Sequence, residues 1–217
     1  MTRKAAAGRP LTWPDDPETV TAADIDFEAL AHVLANTCRR GGCMRGYHSL
    51  AAHAVVVSEE IEALDGLEGE QRRTLELHAL VADAPSAWLR GRLPESQRAT
   101  ERAGRLASGI EAAVRETAGL DAALDEDQAE LLRFVTRMAA ATERRDILDG
   151  NVGAGAGVAF PPLKRRIRSM PPDKAAQAWL ARFRALASPE EERRGRNAAP
   201  GSRTGVGDGP GAGAGEG

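Results

Sequence analysis

Cysteine is almost missing from this chain. Cys38 and Cys43 are the only two in 217 residues, so a disulfide framework is excluded and a reducing, cytoplasmic setting is expected. No charge of one sign dominates: the formal net charge is -3, which gives no global reason to expect nucleic acid as a partner. No apolar run is long enough to span a bilayer. The N-terminus "MTRKAAAGRPLTWPDDPE" also lacks the apolar block of a signal peptide, so no membrane partner is expected. There is no internal repeat, and no stretch alternates as a strand would. What remains, 42% hydrophobic and 28% charged residues, suffices for one domain with a substantial core.

Composition divides the chain in three. Residues 1–19 contain Pro10, Pro14 and Pro17 and read as an irregular N-terminal segment. Residues 20–187 read as the helical domain. The stretch "SPEEERRGRNAAPGSRTGVGDGPGAGAGEG", residues 188–217, nearly lacks large apolar side chains and cannot offset its ordering entropy. A disordered Gly/Pro-rich tail is expected there.

Within the middle region the apolar spacing is helical. Phe27, Leu30, Ala31, Leu34 and Cys38 form one stripe behind the N-cap candidate Asp26. Leu50, Ala54, Val57, Ile61 and Leu64 form a second, and Leu77, Leu80, Val81, Ala84 and Trp88 a third. Leu106, Ile110, Ala113 and Val114 mark a fourth helix, and Leu131, Val135, Met138 and Thr142 a fifth. Trp179, Leu180, Phe183 and Ala187 mark the last, behind Pro171 and Pro172. The connection "NVGAGAGVAFPPLKRR" is glycine-rich, but it follows no strand and lacks the G-K-[ST] ending of a phosphate-cradling loop. The expected fold is all-α, a packed helical bundle.

Two side chains in the apolar stripes stand out. Asp83 sits inside "LHALVADAPSAWLRG", and His53 lies among Leu50, Ala54 and Val57. Buried carboxylates are rare unless paired, hydrogen-bonded or bound to metal. An imidazole and a carboxylate on neighbouring core helices are either a hydrogen-bonded core pair or half of a divalent metal site.

The blocks "CRRGGCMRGYHSLAAHAVVVS" and "ALVADAPSAWL", followed by "AATERRDIL" and "DKAAQAWLARFRAL", resemble the HD-domain metal-dependent phosphohydrolases. The branch in question is the one similar to bacterial 5'-deoxynucleotidases, and the resemblance spans roughly residues 20–187. It implies an HD-like helical bundle in which a His, an adjacent His-Asp pair and a later Asp hold one divalent cation of the Mn, Co, Mg or Zn type. That cation polarises a phosphate oxygen and lowers the pKa of a bound water. A Glu assists proton transfer, and an arginine of the first block holds the phosphate.

Transferred to this chain, the resemblance places His53 at the first ligand and Asp83 at the Asp of the pair. Ala82 stands where the pair's His belongs, and Thr136 where the final Asp belongs. Ser86 replaces the Glu, and Gly91 replaces an Asp for the sugar hydroxyl. Arg39 keeps the phosphate-clamp position, with Arg40 replacing an aromatic residue and His48 a Tyr. Losing a group that merely orients a ligand already costs about 10–100-fold in metal affinity or activity. Two missing ligands therefore cost at least on the order of 100- to 10,000-fold.

The reading is a catalytically impaired HD-like protein that binds a nucleotide or other small phosphorylated ligand, or a protein partner. Arg39 and Arg45 would hold the anion. A homodimer is left open. The alternative is an active phosphohydrolase with a rearranged site built from His53, Asp83, His78 and Glu143. His78 precedes Ala82 by one helical turn, so a rescuing imidazole would be displaced by about 5.4 Å. Zinc bound by Cys38, Cys43, His48 and His53 is a further alternative, since two thiolates and two imidazoles suit a tetrahedral ion. The basic run "PPLKRRIRSMPP" reads as a solvated loop or as a contact for phosphate or an acidic partner.

Overall fold

Asp26 opens the first helix by accepting from the N–H groups of Glu28 (2.8 Å) and Ala29 (3.2 Å), donors that a helix start leaves without partners. The structure, a computed structural model, describes residues 20–93, 95–120, 123–148 and 160–187. The expected irregular segment 1–19, the expected tail 188–217 and most of the glycine-rich connection lie outside the described residues.

The helices are α1 (Phe27–Asn36), α2 (Leu50–Glu62), α3 (Gly69–Val81), α4 (Ala84–Arg92), α5 (Glu101–Thr117), α6 (Glu126–Asp146) and α7 (Pro172–Ala187). No β-strand occurs among the described residues, only the isolated bridge pairs Cys38 with Ser49 and Met44 with Leu148. The all-α expectation holds. Ser49, Thr100 and Asp125 cap α2, α5 and α6 with side-chain oxygens, so these helices start where local chemistry says they should. No helix among the described residues is long and apolar enough to cross a membrane.

Two expectations need correction. Cys38 lies beyond the end of α1, because the chain turns extended at Thr37. The expected third helix is really two: α3 ends at Val81 and α4 begins at Ala84, with Asp83 as the residue before it. Pro85 is the reason. It has no N–H to donate to the Val81 carbonyl, and its ring crowds the preceding turn, yet it suits the start of a new helix. The apolar stripe survives the break, since Leu77, Leu80, Val81, Ala84 and Trp88 are all buried.

Helix α2 packs against α1, α3, α6 and α7 and is buried on most of its surface. Its central place has a chemical consequence: a polar side chain on its buried faces must find a partner inside the protein. One core cluster joins Leu30, Leu50, Leu80, Ile110, Trp179 and Phe183. Trp179 stacks on Phe183 at 5.2 Å and donates its indole N–H to the Leu80 carbonyl at 2.9 Å. Truncating such a buried tryptophan costs about 3–5 kcal/mol. The second cluster joins α2, α3 and α6 through Val57, Leu75, Ala79, Val135 and Ala139. It brings the C-terminal half of α6 beside His53.

Candidate functional site

Val135, Ala139 and Glu143 recur every four residues along α6, so a carboxylate stands on the stripe that faces the core. Glu143 is 1% exposed. Its Oε1 lies 2.6 Å from His53 Nδ1 and 3.0 Å from Arg39 Nε, and His48 Nε2 is 3.4 Å away. Its Oε2 accepts from Arg39 Nε at 3.2 Å and from Arg40 Nε at 3.4 Å. Asp83 joins at the edge, its Oδ2 3.7 Å from Arg39 Nη1.

The loop that delivers both arginines is shaped for it. After Cys38 the chain makes a short 3-10 turn over Arg39–Gly42, in which Arg40 takes φ +48°. A left-handed backbone costs a non-glycine residue about 1–2 kcal/mol, and here it brings two consecutive guanidinium groups onto one carboxylate. The loop is pinned at both ends. Arg39 N–H donates to the His48 carbonyl (3.0 Å), and Arg45 N–H to the Ile147 carbonyl (2.7 Å) at the end of α6.

Burial alone would push the Glu143 carboxyl up. The His48 and His53 imidazoles and the Arg39 charge overrule it and hold the group well below the ordinary carboxylate range. Burial pushes His53 the other way, towards the neutral ring, against the pull of Glu143. A neutral ring 2.6 Å from a carboxylate must carry its proton on Nδ1 and donate it. His53 Nε2 is then the lone-pair nitrogen. This is the arrangement by which a carboxylate orients a metal-binding imidazole.

The other positions do not complete such a site. Asp83, expected inside an apolar helix, instead starts α4 with its side chain 28% exposed. Ala82 ends α3, exposed and with no donor atom. The Thr136 hydroxyl donates to the Leu132 carbonyl within its own helix, at 2.7 Å. Ser86 is exposed, and Gly91 lies in α4. His78 and Ala82 line a separate cavity of about 290 Å³ with Glu111, Val114, Arg115 and Leu132, a cavity to which neither His53 nor Glu143 contributes. Arg45 is exposed and ties its loop through the backbone.

Cys43 is exposed, and the Cys38 thiol turns to the carbonyls of Arg39 and His48. Among the described residues no three His, Cys, Asp or Glu side chains group so as to hold a metal ion. A catalytic divalent ion asks for about three protein ligands. His53 and Asp83 supply at most two, and Asp83 already faces Arg39, so the residues present do not fit the cation that the resemblance implies.

Of the residues expected from sequence, the structure gathers Arg39, His53 and Asp83, and leaves His78 and Arg45 elsewhere. What sequence reasoning missed is the hub. Glu143 entered only as a hydrolase candidate, and neither Arg40, a departure from a family pattern, nor His48, a departure and a candidate zinc ligand, entered as its partner. A charged residue on the Val135–Ala139 stripe was the available signal, the same kind of signal that drew attention to Asp83. No family model matches the chain, and no curated protein matches it.

Proposed function

We propose that this chain is an HD-domain-like protein that has lost phosphate-ester hydrolysis and acts by binding a nucleotide or other phosphorylated ligand without turning it over. One observation carries the reading. His53 is held by Glu143 in the tautomer of a metal ligand, while positions 82 and 136, where the resemblance puts two further ligands, hold an alanine and an internally bonded threonine. The orienting carboxylate persists without the ligand set it would serve.

The convergence of the motif blocks supports the resemblance itself. Residues around 39, 53, 83 and 143 come together across long stretches of chain, as an HD-like site requires. Arg39, the expected phosphate clamp, is engaged by Glu143 and Asp83, so its charge is already partnered by protein carboxylates. A reducing, cytoplasmic setting belongs to the same proposal and suits the free thiols of Cys38 and Cys43.

The test is metal analysis of the purified protein together with a phosphatase assay on deoxynucleoside monophosphates in Mn²⁺ or Co²⁺. The expected result is substoichiometric metal and no turnover above the buffer rate. Stoichiometric metal, with turnover that vanishes in His53→Ala, overturns the proposal in favour of an active hydrolase.

A further inference from the structure

A second basic region lies on another face of α2. Ala52, Val55, Val56 and Glu59 share one side of that helix and form the floor of a groove of about 360 Å³. The segment Arg165–Pro171 and Lys174 of α7 form its walls. The segment is held by bonds rather than left as a solvated loop. Ile167 N–H donates to Asp146 (2.9 Å), Met170 N–H to the Tyr47 carbonyl (3.1 Å), and the Ser169 hydroxyl to the Arg45 carbonyl (2.8 Å).

The charges do not cancel. Arg165 is spent on Glu59 (2.7 Å) and Glu60 (3.6 Å), one cation against two carboxylates, which leaves a single net negative charge on that side. Arg166, whose charge also acts on Asp146, Arg168 and Lys174 remain at the walls, and all three are exposed. Arg168 and Lys174 make no ion pair among the described residues. The groove also begins where α7 begins, at the positive end of a helix dipole, although Asp173 in that first turn works against it.

His48 is the independent observation. It is 1% exposed and lines the groove, and its Nδ1 has no hydrogen-bond partner. Its Nε2 stands 3.4 Å from Glu143. Buried polar atoms nearly always find partners, so an unpartnered Nδ1 on a residue that lines a groove with three cations points to a group that completes it. The groove's size falls in the range of small-ligand sites, and its Val55, Val56 and Ile167 surface suits an apolar body rather than an extended acidic chain.

We propose that this groove binds a small phosphomonoester, its phosphate held by Arg166, Arg168 and Lys174 and its bound position completed by the buried His48 imidazole. The proposal locates the ligand of the binding role above and rests on that reading only for its biological use. Phosphatase activity and groove binding are measured separately, so either fails without the other.

The experiment titrates the full chain with phenyl phosphate and with inorganic phosphate, following heat and thermal shift. Saturable phenyl phosphate binding is expected. It should weaken at least tenfold in Arg168→Gln/Lys174→Gln and in folded His48→Asn, and stay unchanged in the control Arg105→Gln/Arg144→Gln. Absent saturation, equal weakening in the control, or unchanged affinity in Arg168→Gln/Lys174→Gln overturns it. If an acidic peptide saturates the groove and phenyl phosphate does not, the small-ligand assignment is also overturned.

Discussion

His53 Nδ1 and Glu143 Oε1 meet at 2.6 Å, ninety positions apart in sequence and both within the core. Around that contact the Arg39 and Arg40 side chains supply the positive charge that lets a buried carboxylate stay ionised. Removing one partner of a buried charge cluster leaves the others uncompensated, which costs more than the cluster itself contributes.

Glu143→Ala therefore destabilises the fold by about 3–5 kcal/mol, and Glu143→Gln, which keeps the shape, by less. Urea unfolding monitored by circular dichroism measures both. A cost under about 1 kcal/mol for Glu143→Ala would show that the hub is not the keystone described here.

Asp83→Asn should behave oppositely. Its ion pair with Arg39 is long, at 3.7 Å, and partly exposed, a setting in which pairs contribute about 0–1 kcal/mol. The expected change in unfolding free energy is within that range. A loss above about 2 kcal/mol would mean that Asp83 is a structural group in its own right.

Glu76 on α3 gives the pH dependence. It is 3% exposed, and its Oε2 lies 2.8 Å from Arg182 of α7. Burial pushes its carboxyl up from 4.5 to about 7, against the pull of Arg182. The folded state therefore holds the proton more tightly than the unfolded chain. Its stabilising contribution is complete below pH 4.5 and is lost as pH rises to about 7. Glu76→Gln should flatten this limb, removing roughly 3 kcal/mol of pH-dependent change at ~1.4 kcal/mol per pH unit. Denaturation series at pH 5 and pH 8 decide it, and identical slopes in wild type and variant would refute the assignment.

The double substitution Ala82→His with Thr136→Asp tests the lost metal site from the other direction. It restores the donor types that the family resemblance calls for, in a chain whose His53 is already oriented by Glu143. Mn²⁺ binding, read by equilibrium dialysis, should appear in the variant and be weaker by at least about 100-fold in the native chain. Equal affinity in the two would remove the ligand-loss explanation.

Much of the architecture was legible locally. Asp26, Ser49 and Asp125 cap helices as their side chains dictate, and apolar stripes at helical spacing became the buried faces. The break at Asp83 was written in Pro85 but was masked by an apolar stripe that runs across it. At the site, His53 and Arg39 were readable from motif order. The role of Glu143 was not, because spacing along one helix does not reveal what packs against it.

The chain's local chemistry thus determines where its helices start and stop and which faces turn inward, since caps, prolines and apolar periodicity act over a few residues. Whether Asp83 or Glu143 becomes buried was decided only in three dimensions. Asp83 ended at a partly open helix start, and Glu143 ended at the centre of a packed interface. Burial and charge pairing depend on residues a hundred positions away, and only helix packing brings those within reach.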